Sequence, residues 1–109
     1  MRIVNLQEFR KLPKGTVFAK YSHCEFDELM VLDEIWECDF IYSSLIGNVL
    51  NVSSEDFFEK CTSMENGNSE NLDFECTSRD GLFDDDQLFA VYEKEDIKQF
   101  IEKLQESLR

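Results

Sequence analysis

Apolar residues recur along this chain with two periods, about 3.6 and 2, and the switches between them mark off short elements. Asn5, Leu6, Gln7 and Glu8 have the form of a capping box, in which Asn5 accepts from the backbone and Glu8 reaches back. The short helix it opens places Leu6 and Phe9 on one face, and Pro13 with Gly15 ends it. From Thr16 the period becomes 2: Val17, Phe18, Ala19 and Tyr21 predict a strand, with residues 23–27 as its polar turn. Residues 29–36 predict a second strand, with Leu29, Val31 and Ile35 on one side and Met30, Leu32 and Trp36 on the other. In 37–43, Cys38, Phe40 and Tyr42 oppose Glu37 and Asp39, which predicts a third, antiparallel strand.

Residues 45–52 read equally as a hairpin turning at Gly47 and Asn48 or as a short helix before a loop. Ser53 or Ser54 then caps a helix, with Glu55 and Asp56 at its positive end, and Phe57, Phe58, Cys61 and Met64 have the spacing of a buried face. Past the polar stretch 65–71, Leu72, Phe74 and Cys76 alternate with Asp73 and Glu75 as a half-buried strand. A loop with three successive aspartates leads to an apolar strand over 88–92. Asp96 opens a last helix with Ile97, Phe100, Ile101, Leu104 and Leu108 on one stripe. The order predicts one α+β domain over 1–109: a mostly antiparallel sheet of four to five strands, packed with two or three helices on one face.

Composition agrees with a single folded unit. The 109 residues are 42% hydrophobic, with ten Phe among fourteen aromatics, too apolar for a disordered acidic tail. The net charge is -13, and its placement is uneven. Residues 1–20 carry five cations and one carboxylate, residues 94–109 are balanced, and residues 21–93 hold nineteen carboxylates against Lys60 and Arg79. Such a middle segment repels a phosphate backbone, so neither nucleic acid nor an anionic membrane is an expected direct ligand. Charges at Arg2, Glu8, Arg10, Lys11 and Lys14 leave no room for an apolar secretory leader, and the longest apolar run is five residues. A cytoplasmic protein is expected. Cys24, Cys38, Cys61 and Cys76 sit in or beside apolar patterns, which predicts reduced, mostly core thiols.

Candidate chemistry is sparse. His23 and Cys24 are adjacent, and on an extended segment neighbours point to opposite faces, which denies the thiol its base. The cysteine spacings match no paired zinc pattern, and Asp84, Asp85 and Asp86 lack the alternating ligands and central Gly of a calcium loop. No phosphate loop or nucleophile elbow is present. No enzyme activity, metal or cofactor is expected. What remains is the acidity: Glu25 with Asp27, Glu37 with Asp39 and Asp73 with Glu75 stand two apart, about 6.8 Å on a strand, comparable with successive phosphates of a nucleic-acid strand. With Asp84, Asp85 and Asp86 they form the candidate partner-binding set, suited to the basic groove of a nucleic-acid-binding enzyme or another basic protein.

Leu12, Pro13, Lys14, Gly15 and Thr16 near the start, and Arg79, Asp80, Gly81, Leu82 and Phe83 before the apolar strand, sit in a layout that resembles small acidic accessory proteins of bacteriophages and prophages. The resemblance implies an inhibitor of a host defence nuclease, in some cases a DNA mimic, working in the bacterial cytoplasm. Immunity proteins against nuclease toxins share that acidity and are the near alternative. Two other readings stay open: a small-ligand binder with a pocket of Tyr21, Trp36, Phe40, Tyr42 and Tyr92, and an assembly subunit that exposes Phe100 and Leu104 on the last helix.

Overall fold

The computed structural model describes residues 1–37, 39–81 and 84–109. Strand β1 (Arg2–Val4) and the single helical turn α1 (Leu6–Phe9) come first, then β2 (Val17–Ser22), β3 (Glu25–Phe26), β4 (Met30–Ile35) and β5 (Phe40–Ser44). There follow β6 (Asn48–Val49), helix α2 (Ser54–Glu65), β7 (Leu72–Asp73), β8 (Thr77–Arg79), β9 (Leu88–Tyr92) and helix α3 (Lys94–Glu106). The main sheet runs β1-β9-β2-β4-β5-β8, with β3 also paired to β2, and every pairing is antiparallel. Strands β6 and β7 form a separate two-stranded ribbon. This is the α+β domain that the periodicity predicts, with the long strands where alternation is longest. The added strands are two or three residues each, too short to show a period.

The sheet is strongly curled. Strand β5 stands three strands from β9, about 14 Å across a flat sheet at about 4.8 Å per strand. Yet the rings of Phe40 on β5 and Phe89 on β9 have centroids 6.2 Å apart. A bulge between Leu32 and Glu34 on β4 adds local twist in the middle of the sheet. Curling brings Phe18, Phe40 and Phe89 round the Phe9 ring, which stacks on Phe89 at 3.9 Å and meets Phe18 and Phe40 edge-on at 4.9 and 5.2 Å. Val4, Leu6, Met30, Leu32 and Val91 complete the core. A four-residue helix has no stability of its own. α1 is fixed by Leu6 and Phe9 and by Asn5, whose side chain accepts from the Glu8 N–H at 3.0 Å.

Helices lie on both faces of the sheet, where the sequence reading placed them on one. On β9, Phe89 and Val91 point at α1, so Tyr92 points the other way, and its ring meets Phe100 of α3 at 5.4 Å. α3 starts at Lys94, two residues before the predicted Asp96, because Glu93 is its N-cap and Asp96 the third residue of a capping box. Ile97 and Phe100 are half-buried against the body, whereas every residue from 101 to 109 is exposed. The radius of gyration, 16.1 Å, exceeds the roughly 13 Å of a compact chain of this length, in keeping with elements that stand off the sheet.

Other expectations fail at the periphery. Leu72, Phe74 and Cys76 are exposed and Asp73 is half-buried, the reverse of the predicted face. The cause is local: β7 pairs only with β6, away from the main core, and Asp73 turns inward to accept the Glu75 N–H at 2.9 Å. On α2, capped by Ser53, one of the two predicted serines, Phe57 and Cys61 are half-buried but Phe58 is 67% exposed and Met64 is also exposed. Among the described residues the thiols are not core groups: Cys24 and Cys76 are exposed, Cys61 is intermediate, and all three are free. Cys38, Leu82 and Phe83 lie outside the described residues.

Candidate functional site

The β2–β3 hairpin turns at His23 and Cys24, and Cys24 takes the left-handed conformation with φ 62°. Glu25 and Asp27 follow on the return, both exposed. The Asp27 N–H donates to the Lys20 carbonyl at 2.9 Å, and its carboxylate accepts the Glu28 N–H at 2.8 Å. Gln87 is the tie to the aspartate run, donating from Nε2 to the Tyr21 carbonyl at 3.1 Å. Its own N–H closes a turn onto the Asp84 carbonyl, and the Asp84 side chain accepts the Asp86 N–H. Two adjoining grooves therefore share Lys20 and Gln87: Glu25 and Asp27 line one, and Asp80 and Asp84 line the other. The structure thus brings Glu25, Asp27 and Asp84, with Asp85 and Asp86 beside it, to one end of the curled sheet.

Asp39 does not belong on that surface. It is 3% exposed, which corrects its assignment to a solvent-facing acidic strand. One carboxylate oxygen accepts the Phe40 N–H at 2.8 Å and the Gly81 N–H at 2.9 Å, and the other accepts from Arg79 Nε. Burial pushes its carboxyl upward, but the Arg79 guanidinium and the two backbone donors outweigh burial and hold it below the ordinary aspartate value of 3.8. Arg79 also lies 5.8 Å from the Trp36 ring centroid. Asp39 is a structural clamp between the start of β5 and the end of β8, and its burial keeps the carboxylate from a partner's reach.

Glu37, Asp73 and Glu75 are elsewhere. Glu37 is in the β4–β5 turn, where its carbonyl accepts from Arg10 at 2.9 Å. Glu75 lines a groove with Lys14, Asp33 and Ser43, and Asp73 is turned into its own ribbon. The basic N-terminal stretch, segregated in sequence, is laid among carboxylates: Arg2 pairs with Glu93, Lys11 with Glu8, Lys14 with Asp33 and Lys20 with Asp80. Sequence reasoning missed the last pair. Its signal was Lys20 itself, a cation two positions from Phe18 and hence on the core-facing side of β2. Asp80 answers it from beyond β8, across the curl.

The remaining candidates are dispersed or modest. Because they form a turn and not an extended segment, His23 and Cys24 do approach, with Sγ 3.8 Å from Nε2, and both are exposed at the hairpin tip. The five aromatics of the suggested pocket are separated: Tyr21 meets Phe26, Trp36 lies under Arg79, Phe40 and Tyr42 belong to or border the core, and Tyr92 faces α3. Among the described residues, no three His, Cys, Asp or Glu side chains group as metal ligands, and no helix is long and apolar enough to cross a membrane. Comparison with protein-family models, with curated proteins and with solved structures returns no match.

Proposed function

We propose that this protein is a non-catalytic acidic binding protein that occupies a basic site on another protein, using Glu25, Asp27, Asp84, Asp85 and Asp86. One observation carries the reading. Arg2, Lys11, Lys14 and Lys20 are drawn to other carboxylates, and among the described residues no ion pair engages the five just named. Their charge is therefore left to face solvent on one end of the sheet. Glu25 and Asp27, two apart along the hairpin return, keep the roughly phosphate-like spacing of about 6.8 Å for extended backbone. A nucleic-acid-binding enzyme, such as a defence nuclease, has the matching cationic groove. An acidic surface of this kind speeds encounter and sets specificity more than it adds raw affinity. The dispersal of the aromatic residues favours this reading over a small-ligand pocket.

The test is a triple reversal, Glu25→Lys, Asp27→Lys and Asp85→Lys, in affinity capture from a bacterial lysate at low and high salt. All three side chains are exposed, so the fold is expected to survive, as circular dichroism would show. The wild-type protein is expected to retain a basic protein at low salt and lose it at high salt, because the screening length for exposed charges falls from about 30 Å at 0.01 M salt to about 3 Å at 1 M. The triple variant is expected to retain none. Capture that is indifferent to both the reversal and the salt would sink the proposal.

A further inference from the structure

We infer that His23 and Cys24, at the tip of the β2–β3 hairpin, form a two-donor site for a zinc ion. On an extended segment the side chains of neighbours point to opposite faces and their donors stand apart. Here the two residues are the whole connection between Ser22 and Glu25, which pair across the hairpin. Cys24 takes the left-handed conformation, φ 62°, that a turn of this size ordinarily gives to Gly or Asn. In this turn Cys24 Sγ lies 3.8 Å from His23 Nε2. Zinc bonds of about 2.3 Å to sulfur and about 2.0–2.1 Å to nitrogen, at an angle of about 110–120°, need the two atoms about 3.6–3.8 Å apart. The pair already stands at the bite of one ion.

The tip is braced in that form. The Cys24 N–H donates to the Tyr21 hydroxyl at 3.0 Å, and the Tyr21 ring packs edge-on against Phe26 of the returning strand, with centroids 5.2 Å apart. Donors fixed by their own turn lose little freedom when an ion arrives, and both residues are open to solvent. Donor type selects the ion: a thiolate with an imidazole suits zinc, whereas calcium and magnesium take oxygen. Charge favours a dication at this place. Glu25 follows the pair directly, and Asp27 and Asp84 stand at the same end of the sheet, so the field there concentrates cations and repels anions. On coordination Cys24 gives its thiol proton to solvent and His23 binds as the neutral imidazole. Two protein donors fill half of a tetrahedral shell, and water completes it. The site depends on this turn alone and not on the protein partner proposed above.

Cobalt(II) is the probe, because a coordinated thiolate gives a sulfur-to-cobalt charge-transfer band in the near ultraviolet. The full, reduced chain titrated with Co²⁺ is expected to develop that band, saturating at one ion per chain, and Zn²⁺ is expected to bleach it. Half the donor set of a structural zinc site puts the zinc dissociation constant at about 1–100 μM. Cys24→Ser and Cys24→Gly are each expected to abolish the band, and the second suits the left-handed backbone, so a lost fold is not the cause. His23→Gln is expected to weaken cobalt binding at least about 10-fold. Cys76→Ser, at the other exposed thiol, is expected to leave the titration unchanged, and all four variants to keep the wild-type circular dichroism spectrum. The absence of a charge-transfer band at up to about 1 mM Co²⁺ would overturn the inference. So would a band that survives Cys24→Gly, or one indifferent to His23→Gln.

Discussion

Phe9→Ala tests the claim that one side chain on a four-residue helix organises the curled sheet. Phe9 is fully buried and touches three other core rings, one stacked and two edge-on. Truncating a buried Phe typically costs about 3–5 kcal/mol, and ring pairs add about 0.5–1.5 kcal/mol each beyond their area. Three such pairs put Phe9→Ala at the upper end of that range, about 5 kcal/mol. A domain of this size has about 5–15 kcal/mol in all, so the variant should be marginal or unfolded. With a urea dependence of about 1.5 kcal/mol per M, the midpoint should fall by about 3 M, as followed by far-ultraviolet circular dichroism. Phe9→Leu keeps most of the volume but loses the ring geometry, and should cost about 1–2 kcal/mol. A loss below about 1 kcal/mol for Phe9→Ala would mean that the sheet holds its curl without α1.

Other perturbations probe the clamps and the ribbon. A Cβ on Gly47 would stand 2.0 Å from the Asp73 carbonyl oxygen, so Gly47→Ala must separate β6 from β7, at a cost of about 1–3 kcal/mol. Hydrogen exchange should show protection lost at Val49 and Leu72 and retained at Phe18 and Val91; uniform loss would mean that the ribbon is not a separate unit. Lys20→Met leaves the nearly buried Asp80 carboxylate without its cation and should cost about 1–3 kcal/mol, most of it recovered by adding Asp80→Asn; equal costs for the single and double variants would deny the pairing. Asp39 has its folded pKa depressed, so its stabilisation is present above the ordinary aspartate value of 3.8 and is lost as the pH falls below it. The melting temperature should drop as the pH falls below 3.8, less steeply in Asp39→Asn. Identical pH profiles for the two proteins would remove Asp39 from that account.

The long alternating strands were legible because both of their faces work locally. Phe18, Leu32, Phe40 and Phe89 announce a core-facing side whatever the topology, and Asn5 and Ser53 announce helix starts through hydrogen bonds within four residues. The failures at the periphery share one cause. Alternation at 72–76 and the apolar spacing on α2 imply a buried face, but burial requires a second surface, and the ribbon and α2 lie off the main core. Asp39 misled for the opposite reason: its polar identity suited the outside, whereas Arg79 and Gly81, about forty residues later, supply the donors that keep it inside.

The amino-acid sequence by itself determined the α+β class, the main strands, the caps of α1 and α2 and the excess of carboxylates, because these rest on neighbours within a few residues and on composition. Only the tertiary structure decided which carboxylates remain available. Curling and strand order bring cations from the first twenty residues onto Asp33, Asp80 and Glu93, withdraw Asp39 into the interior, and gather Glu25, Asp27 and Asp84 at one end. Charge sums are additive along a chain, but the field a partner meets depends on distances between residues far apart in it, and those distances are set by folding.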